Sequence, residues 1–280
     1  TAQAKPWAQF QRGTVGDALY TNSTLALDPK TGRMVWYFQH LPGETHDMDE
    51  TFERILVDAN GRQSMFTVGK LAILWELDRK SGKFTASHDP GYQTLVDIDQ
   101  KTGRVRYRPN TIPQEGVQFR FCPSTSGFKS WRSAAYHPST HAFYIPLNLT
   151  CEDGTFGGVK KVEGGGGTGP VKRINLMHPE SPDGLGELLA MDVNGKILWR
   201  HRTRTPPNTG ALTMGDGLVV EGYWDRYFRI HDAGSGKVIF TSPRMPSLVQ
   251  GYPIAYAVNG KQYLAIPVGT GGGAWAAKIV

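Results

Sequence analysis

One phrase returns five times along the chain: LALDPKTGRMVWYF (25–38), LWELDRKSGKFTAS (74–87), LVDIDQKTGRVRYR (95–108), LLAMDVNGKILWRH (188–201) and FRIHDAGSGKVIFTS (228–242). Each copy joins a short apolar run to an aspartate, a turn holding glycine and a second β-prone run. An aspartate can accept hydrogen bonds from the next backbone N–H groups, and glycine supplies positive φ, so each copy predicts a β-hairpin. Asp192 and Asp232 lie 40 residues apart, a fitting length for one four-stranded propeller blade. Four residues after the glycine stands an aromatic in four of the copies: Trp36, Tyr107, Trp199 and Phe240. That is a regular position for a ring docking between neighbouring blades. A sandwich also satisfies the alternation, but a fixed period with a ring at a fixed place favours radial repetition. The predicted fold is all-β, a propeller or part of one, with four-stranded antiparallel blades.

The bulk composition narrows the function classes. With 280 residues the chain is long enough to remove roughly 70–75% of its unfolded surface from water. Thirty-four glycines and 18 prolines favour tight turns over long helices. The net charge of +6 is spread out, with no block of five basic residues, which argues against a nucleic-acid partner. No apolar run approaches the roughly 20 residues a membrane-spanning helix needs. No charged segment followed by an apolar one opens the chain, and its start at Thr1 reads as a processed or partial product. VEGGGGTGP (162–170) lacks the Lys-Ser/Thr ending of a phosphate cradle and reads as a loop. Asn22 and Asn148 sit in N-x-Ser/Thr sequons too common to carry weight. The two cysteines, Cys122 and Cys151, form no CxxC; two buried thiols and one disulfide fit equally.

The hairpin pattern breaks at HLPGETHDMDE (40–50), where Asp47, Asp49 and Glu50 crowd together with His40 and His46. Carboxylates this close repel unless solvent, a cation or a proton-transfer task offsets the repulsion. A turn in which Asp47 and Asp49 cap backbone N–H groups is the structural alternative. Glu50 reads as a solvated neighbour, and the two histidines as polar loop residues rather than ligands.

With these motifs in view, the chain resembles the quinoprotein alcohol dehydrogenases, which use pyrroloquinoline quinone (PQQ). YFQHLPGETHDMDETFERILVD (37–58) is similar to the segment carrying the family's W-D-x-D box, with His46 at the Trp, Asp47 at the catalytic Asp and Asp49 at the second Asp. Sliding the motif's earlier His-Asp onto His46-Asp47 would make Asp49 the base; the ungapped alignment, which keeps FER in register, is preferred. TVGKLAILWELDRKSG (67–82) resembles the strand whose Arg or Lys contacts the quinone, here Lys70. CPSTSGFKSWRSAAYHPSTHAFYIPLNLTC (122–151) resembles the C-P-x-x-x-G segment, with Ser130 where Asn is common, Trp131 kept, and Cys151 as the partner that implies a disulfide with Cys122. TAQAKPWAQFQRG (1–13) resembles G-T-G-N-x-x-P-W, with Gln3 at the metal-ligating Asn.

The resemblance implies that residues 1–280 form one quinoprotein-type domain, roughly the C-terminal half of an eight-bladed propeller whose N-terminal blades are missing. It implies PQQ-dependent oxidation of an alcohol, with Asp47 as general base. Gln3, Asp47 and Asp49 would ligate the metal, and Lys70, Ser130 and Trp131 would bind the quinone. The metal is calcium or a lanthanide, both of which stay open; Asp49 is the extra carboxylate of the lanthanide-using branch. The implied partners are an alcohol and a cytochrome c or quinone acceptor, in a bacterial periplasm, with peripheral membrane association left open. On this reading the segment alone is inactive. The competing expectations are a non-catalytic scaffold propeller of the same repeat, and a sugar or polyol dehydrogenase whose pocket is shaped by loops such as 162–184.

Overall fold

The computed structural model describes residues 1–13, 15–59, 61–160, 167, 169–269 and 278–279. Apart from Gly167, Gly169 and Pro170, the predicted glycine-rich loop at 162–170 lies outside the described residues. The chain divides into two compact units, Thr1–Ser130 with Thr150–His178, and Trp131–Leu149 with Pro179–Val280.

All five predicted hairpins form, and the aspartate chemistry shows why. In the first, strands Ser23–Leu27 and Met34–Gln39 pair antiparallel. Asp28 Oδ1 accepts from the N–H of Lys30 at 2.8 Å and of Thr31 at 2.9 Å, while Gly32 turns at φ +69°. The same side chain–backbone clasp recurs at Asp78, Asp99, Asp192 and Asp232. Four of the hairpins carry a register shift at the same place, the two residues before the aspartate: 26/27, 76/77, 190/191 and 230/231. A bulge sharpens the local twist and re-aims side chains. It leaves Trp36 opposite Ala26 and Trp199 opposite Ala190. Each indole lies flat against a later turn glycine: a Cβ on Gly82 would sit 2.4 Å from the Trp36 ring, and one on Gly236 2.5 Å from the Trp199 ring. Only glycine fits at those two turns.

In the first unit one hairpin is part of a four-stranded antiparallel sheet, Ile55–Ala59, Arg62–Val68, Leu74–Asp78 and Phe84–His88. Its two middle strands are almost wholly buried, and Trp75 anchors a core with Trp7, Leu41, Met48, Leu71, Ile73 and Phe121. Deleting a ring of that size from such a core costs about 3–5 kcal/mol. Beside it lies a three-stranded sheet, Val171–Met177, Thr150–Phe156 and Gln118–Phe121. Part of the stretch 162–184, expected as loop, is therefore a strand. The second unit holds two four-stranded sheets built around Gly186–Asp192 and Leu218–Gly222; one apolar cluster, with Tyr144, Leu188 and Val219, joins the two, and a second gathers around Val220 and Val249. No helix among the described residues is long and apolar enough to cross a membrane.

Candidate functional site

The loop 40–50 lies in the first unit, and all but Pro42 and Asp49 are buried. Distant parts of that unit hold it. His40 Nε2 meets Thr24 Oγ1 at 2.8 Å, with its ring against Phe38 and Trp75. Asn22 donates to Met48 O at 3.0 Å and accepts from Glu50 N at 3.2 Å, which uses both ends of its amide. His46 packs among Tyr107, Phe119 and Phe121 and donates through Nε2 to Thr111 O at 2.5 Å. Both histidines are core groups, not the polar loop residues expected, because aromatic strands far along the chain close over them.

Asp47 takes φ +72°, a left-handed conformation rare for a residue with a side chain. Lys70 Nζ lies 2.7 Å from Asp47 O, 2.9 Å from Asp47 Oδ2 and 2.9 Å from Asp49 Oδ2. Lys70 is itself placed by its own amide, which donates to Asp49 O at 3.0 Å. Gln3 Nε2 donates to Asp47 Oδ1, and Gln3 N lies 3.5 Å from Asp49 Oδ1. The structure thus brings Gln3, Asp47, Asp49 and Lys70 together. Two carboxylates against one ammonium (−2 + 1) leave one negative charge in excess, on hard oxygen donors suited to calcium or a lanthanide. A half-turn of the Gln3 amide presents its oxygen to a cation there. These residues fit a hard metal ion.

Burial sets the protonation of the acids. It pushes Asp47 up to about 6 against the opposing pull of Lys70. A bound cation would bring it back down. Behind it Glu44, fully buried, is pushed up to about 7 by burial, opposed by the amides of Met48 and His46. Glu44 Oε1 accepts from His46 N–H at 2.5 Å and Oε2 from Asp47 N–H at 3.2 Å. Glu50 is also fully buried rather than solvated as expected, and burial pushes it up to about 8 against Arg54 and Lys129. Its carboxyl lies on Gly69, where a Cβ would approach to 2.2 Å. Lys129 is buried too, paired with Glu53 at 2.7 Å and 4.3 Å from the Phe52 ring centroid.

The segment 122–130 closes over Lys70. Phe128 N–H donates to Lys70 O at 2.8 Å, and Gly127, at φ +78°, lies so near that a Cβ would stand 2.3 Å from the Lys70 stem. Cys122 and Cys151 are joined in a disulfide, which ties the start of this segment to strand Thr150–Phe156. Ser124 reinforces the tie, its N–H donating to Thr150 O at 2.8 Å. Ser130 is half-buried at the segment's end. Trp131, 74% exposed, belongs to the second unit, where its carbonyl accepts from Tyr252 OH at 2.7 Å. Glu44 and Lys129 were missed in sequence, and Glu50 was read as solvated. Lys129 lies inside the quoted CPSTSGFKSW segment, and Glu44 lies two residues after the loop's proline; neither spacing announces a role.

The comparisons with known proteins follow the same line. The PQQ family model, described as the glucose/ethanol/alcohol dehydrogenase beta-propeller domain, matches residues 4–87. That range includes Asp47, Asp49 and Lys70. The quinoprotein ethanol dehydrogenase of Pseudomonas aeruginosa is 30% identical over 95% of this chain and 46% of its own length. The 1-butanol dehydrogenase (cytochrome c) of Thauera butanivorans is 30% identical over 97% and 41%. Among solved structures, a europium-containing methanol dehydrogenase superposes with a TM-score of 0.87 at 26% identity, over 94% of this chain and 47% of the other. The chain thus spans a little under half the length of these relatives, and its resemblance to quinoprotein alcohol dehydrogenases holds across nearly all of it.

Proposed function

We propose that this chain carries the metal-and-base loop of a PQQ-dependent alcohol dehydrogenase, which oxidises an alcohol to an aldehyde or ketone. The observation that supports it most is the meeting of Asp47 and Asp49 of loop 40–50 with Lys70, and of Asp47 with Gln3. When bound, the quinone would supply the hydride acceptor and a hard cation the Lewis acid. Asp47 takes the hydroxyl proton as general base. Asp47, Asp49 and Gln3 hold the cation; both calcium and a lanthanide suit their oxygens, and the second aspartate favours the more highly charged ion. Lys70 would hydrogen-bond the quinone oxygens and stabilise negative charge there. By the family resemblance, Ser130 and Trp131 would be further groups that bind the quinone.

The repeat supports the wider architecture. The Trp36 ring lies against Gly82 and the Trp199 ring against Gly236, contacts of the kind that would dock one blade on another. Residues 1–280 would then belong to one quinoprotein domain, part of an eight-bladed propeller that further blades complete. In the bacterial periplasm such an enzyme passes electrons to a cytochrome c or a quinone, in solution or at a membrane surface. The test uses the full-length protein. Purified protein loaded with PQQ and calcium or lanthanum should show quinone absorbance, bind metal in equal number, and reduce an artificial dye when given ethanol. Protein that binds neither quinone nor metal is a scaffold propeller; activity confined to sugars or polyols moves the substrate class.

A further inference from the structure

Glu44 is a buried acid to which the proposed reaction gives no task. We infer that Glu44 is the positioning residue for Asp47, an inference that rests on the reading of Asp47 as base. The left-handed backbone of Asp47 brings its carbonyl and its carboxylate onto one ammonium, 2.7 and 2.9 Å from Lys70 Nζ. A side-chain-bearing residue holds that conformation only when its surroundings impose it. The amides that lead into it both end on Glu44, His46 N–H at 2.5 Å and Asp47 N–H at 3.2 Å. These two N–H groups each meet one of the two oxygens, with the Met48 amide also acting on the carboxylate, a match that a glutamine breaks by setting an NH₂ group against an N–H.

Glu44 is itself fixed from several sides. Its carbonyl accepts from the Arg12 guanidinium at 3.0 Å, Gly43 N–H donates to Asp17 O at 2.9 Å, and Thr45 Oγ1 accepts from Gln9 N–H at 3.0 Å. Beyond Asp47, the His46 ring is pinned on Thr111 O. The loop is thus anchored on each side of the Glu44 clasp, which leaves the clasp to set the direction of the Asp47 carboxylate.

The test measures kcat per bound quinone and KM for ethanol in full-length holoenzyme, for wild type, Glu44→Gln and Glu44→Asp, well below the melting temperature. Glu44→Gln should lower kcat about 10- to 100-fold with KM held within about threefold, since misdirecting a base affects the proton transfer more than binding. Glu44→Asp, which keeps both oxygens on a shorter stem, should recover part of the loss. Unchanged kcat per bound quinone in Glu44→Gln, even with a lowered melting temperature, would make Glu44 merely structural and overturn the inference. If Glu44→Gln does not fold, Glu44→Asp decides: lowered kcat supports the inference and wild-type kcat overturns it. Terbium luminescence titrations of the full-length protein give a second readout. Glu44→Gln should weaken Tb³⁺ binding about tenfold, because Asp47 is a proposed ligand; equal affinity overturns the inference. A wild type that binds Tb³⁺ yet oxidises no alcohol refutes the proposed function, and the Tb³⁺ comparison still decides Glu44.

Discussion

The aspartates of the repeat turns and the acids of loop 40–50 are the same chemistry in opposite settings. Asp28, Asp78, Asp99 and Asp232 stand in water, accept hydrogen bonds from their own turns, and are held below the usual carboxylate range by those bonds. Glu44, Asp47 and Glu50 are buried and pushed up to about 7, 6 and 8. A turn aspartate satisfies itself within four residues and serves the fold. Asp47, Asp49 and Glu50 draw instead on charges farther along the chain, Lys70 and Lys129, while Glu44 accepts from amides two and three residues on, as a turn aspartate does, but is fully buried. Carboxylates kept buried at such cost to folding are those that a cation or a proton is expected to visit.

Removing the counter-charge should show the largest effect. Lys70→Met leaves Asp47 and Asp49 without their ammonium and should cost about 3–5 kcal/mol in denaturant unfolding at pH 7. Added calcium or lanthanum should restore part of that loss. Stability insensitive to both the substitution and the metal would mean that the loop acids need no cation.

Glu221 separates burial from the loop itself. It is fully buried in the second unit, hydrogen-bonded to Tyr223, and burial pushes it up to about 8. Its folded value lies above its unfolded value of 4.5. Its protonated form therefore favours folding below pH 4.5, and that advantage is lost as pH rises towards 8. Glu221→Gln should be near neutral at pH 4.5 and gain roughly 3 kcal/mol over wild type by pH 8, measured in urea. A flat difference across that range would break the argument that burial raises these acids. Gly127→Ala places a methyl group 2.3 Å from the Lys70 stem at a positive φ. It should cost about 2 kcal/mol and lower dye reduction. At the other extreme, Asp78→Ala removes one exposed clasp; a small fall in melting temperature with kcat unchanged is expected. A large loss of activity would erase the distinction between the two kinds of acid.

The hairpins were legible because their cause is local. Asp-x-x-x-Gly, or Asp-x-x-Gly at Asp192, brings its own donors, acceptor and positive φ within a handful of residues, so all five predicted turns are present. The grouping of Gln3, Asp47, Asp49 and Lys70 was legible through resemblance alone, since Gln3 and Lys70 lie 67 residues apart. What escaped was burial. Glu50 looked solvated beside two acids, but Gly69 makes room for its carboxyl and Lys129 and Arg54 supply charge. His46 looked like a polar loop residue, but Phe119 and Phe121 arrive from a strand more than 70 residues later. Glu44 carried no spacing signal because its partners are backbone N–H groups, which every sequence has. Strand Val171–Met177 was hidden next to a glycine-rich run and is largely exposed, so its alternation is weak.

Asp47 is the atom-level centre of this account, and one comparison tests it. Full-length wild type and Asp47→Asn are loaded to equal quinone and metal content, and kcat for ethanol is measured for each. The expected result is a loss of about 10³-fold in kcat with the cofactor still bound. Equal turnover by the two proteins at equal loading would contradict it.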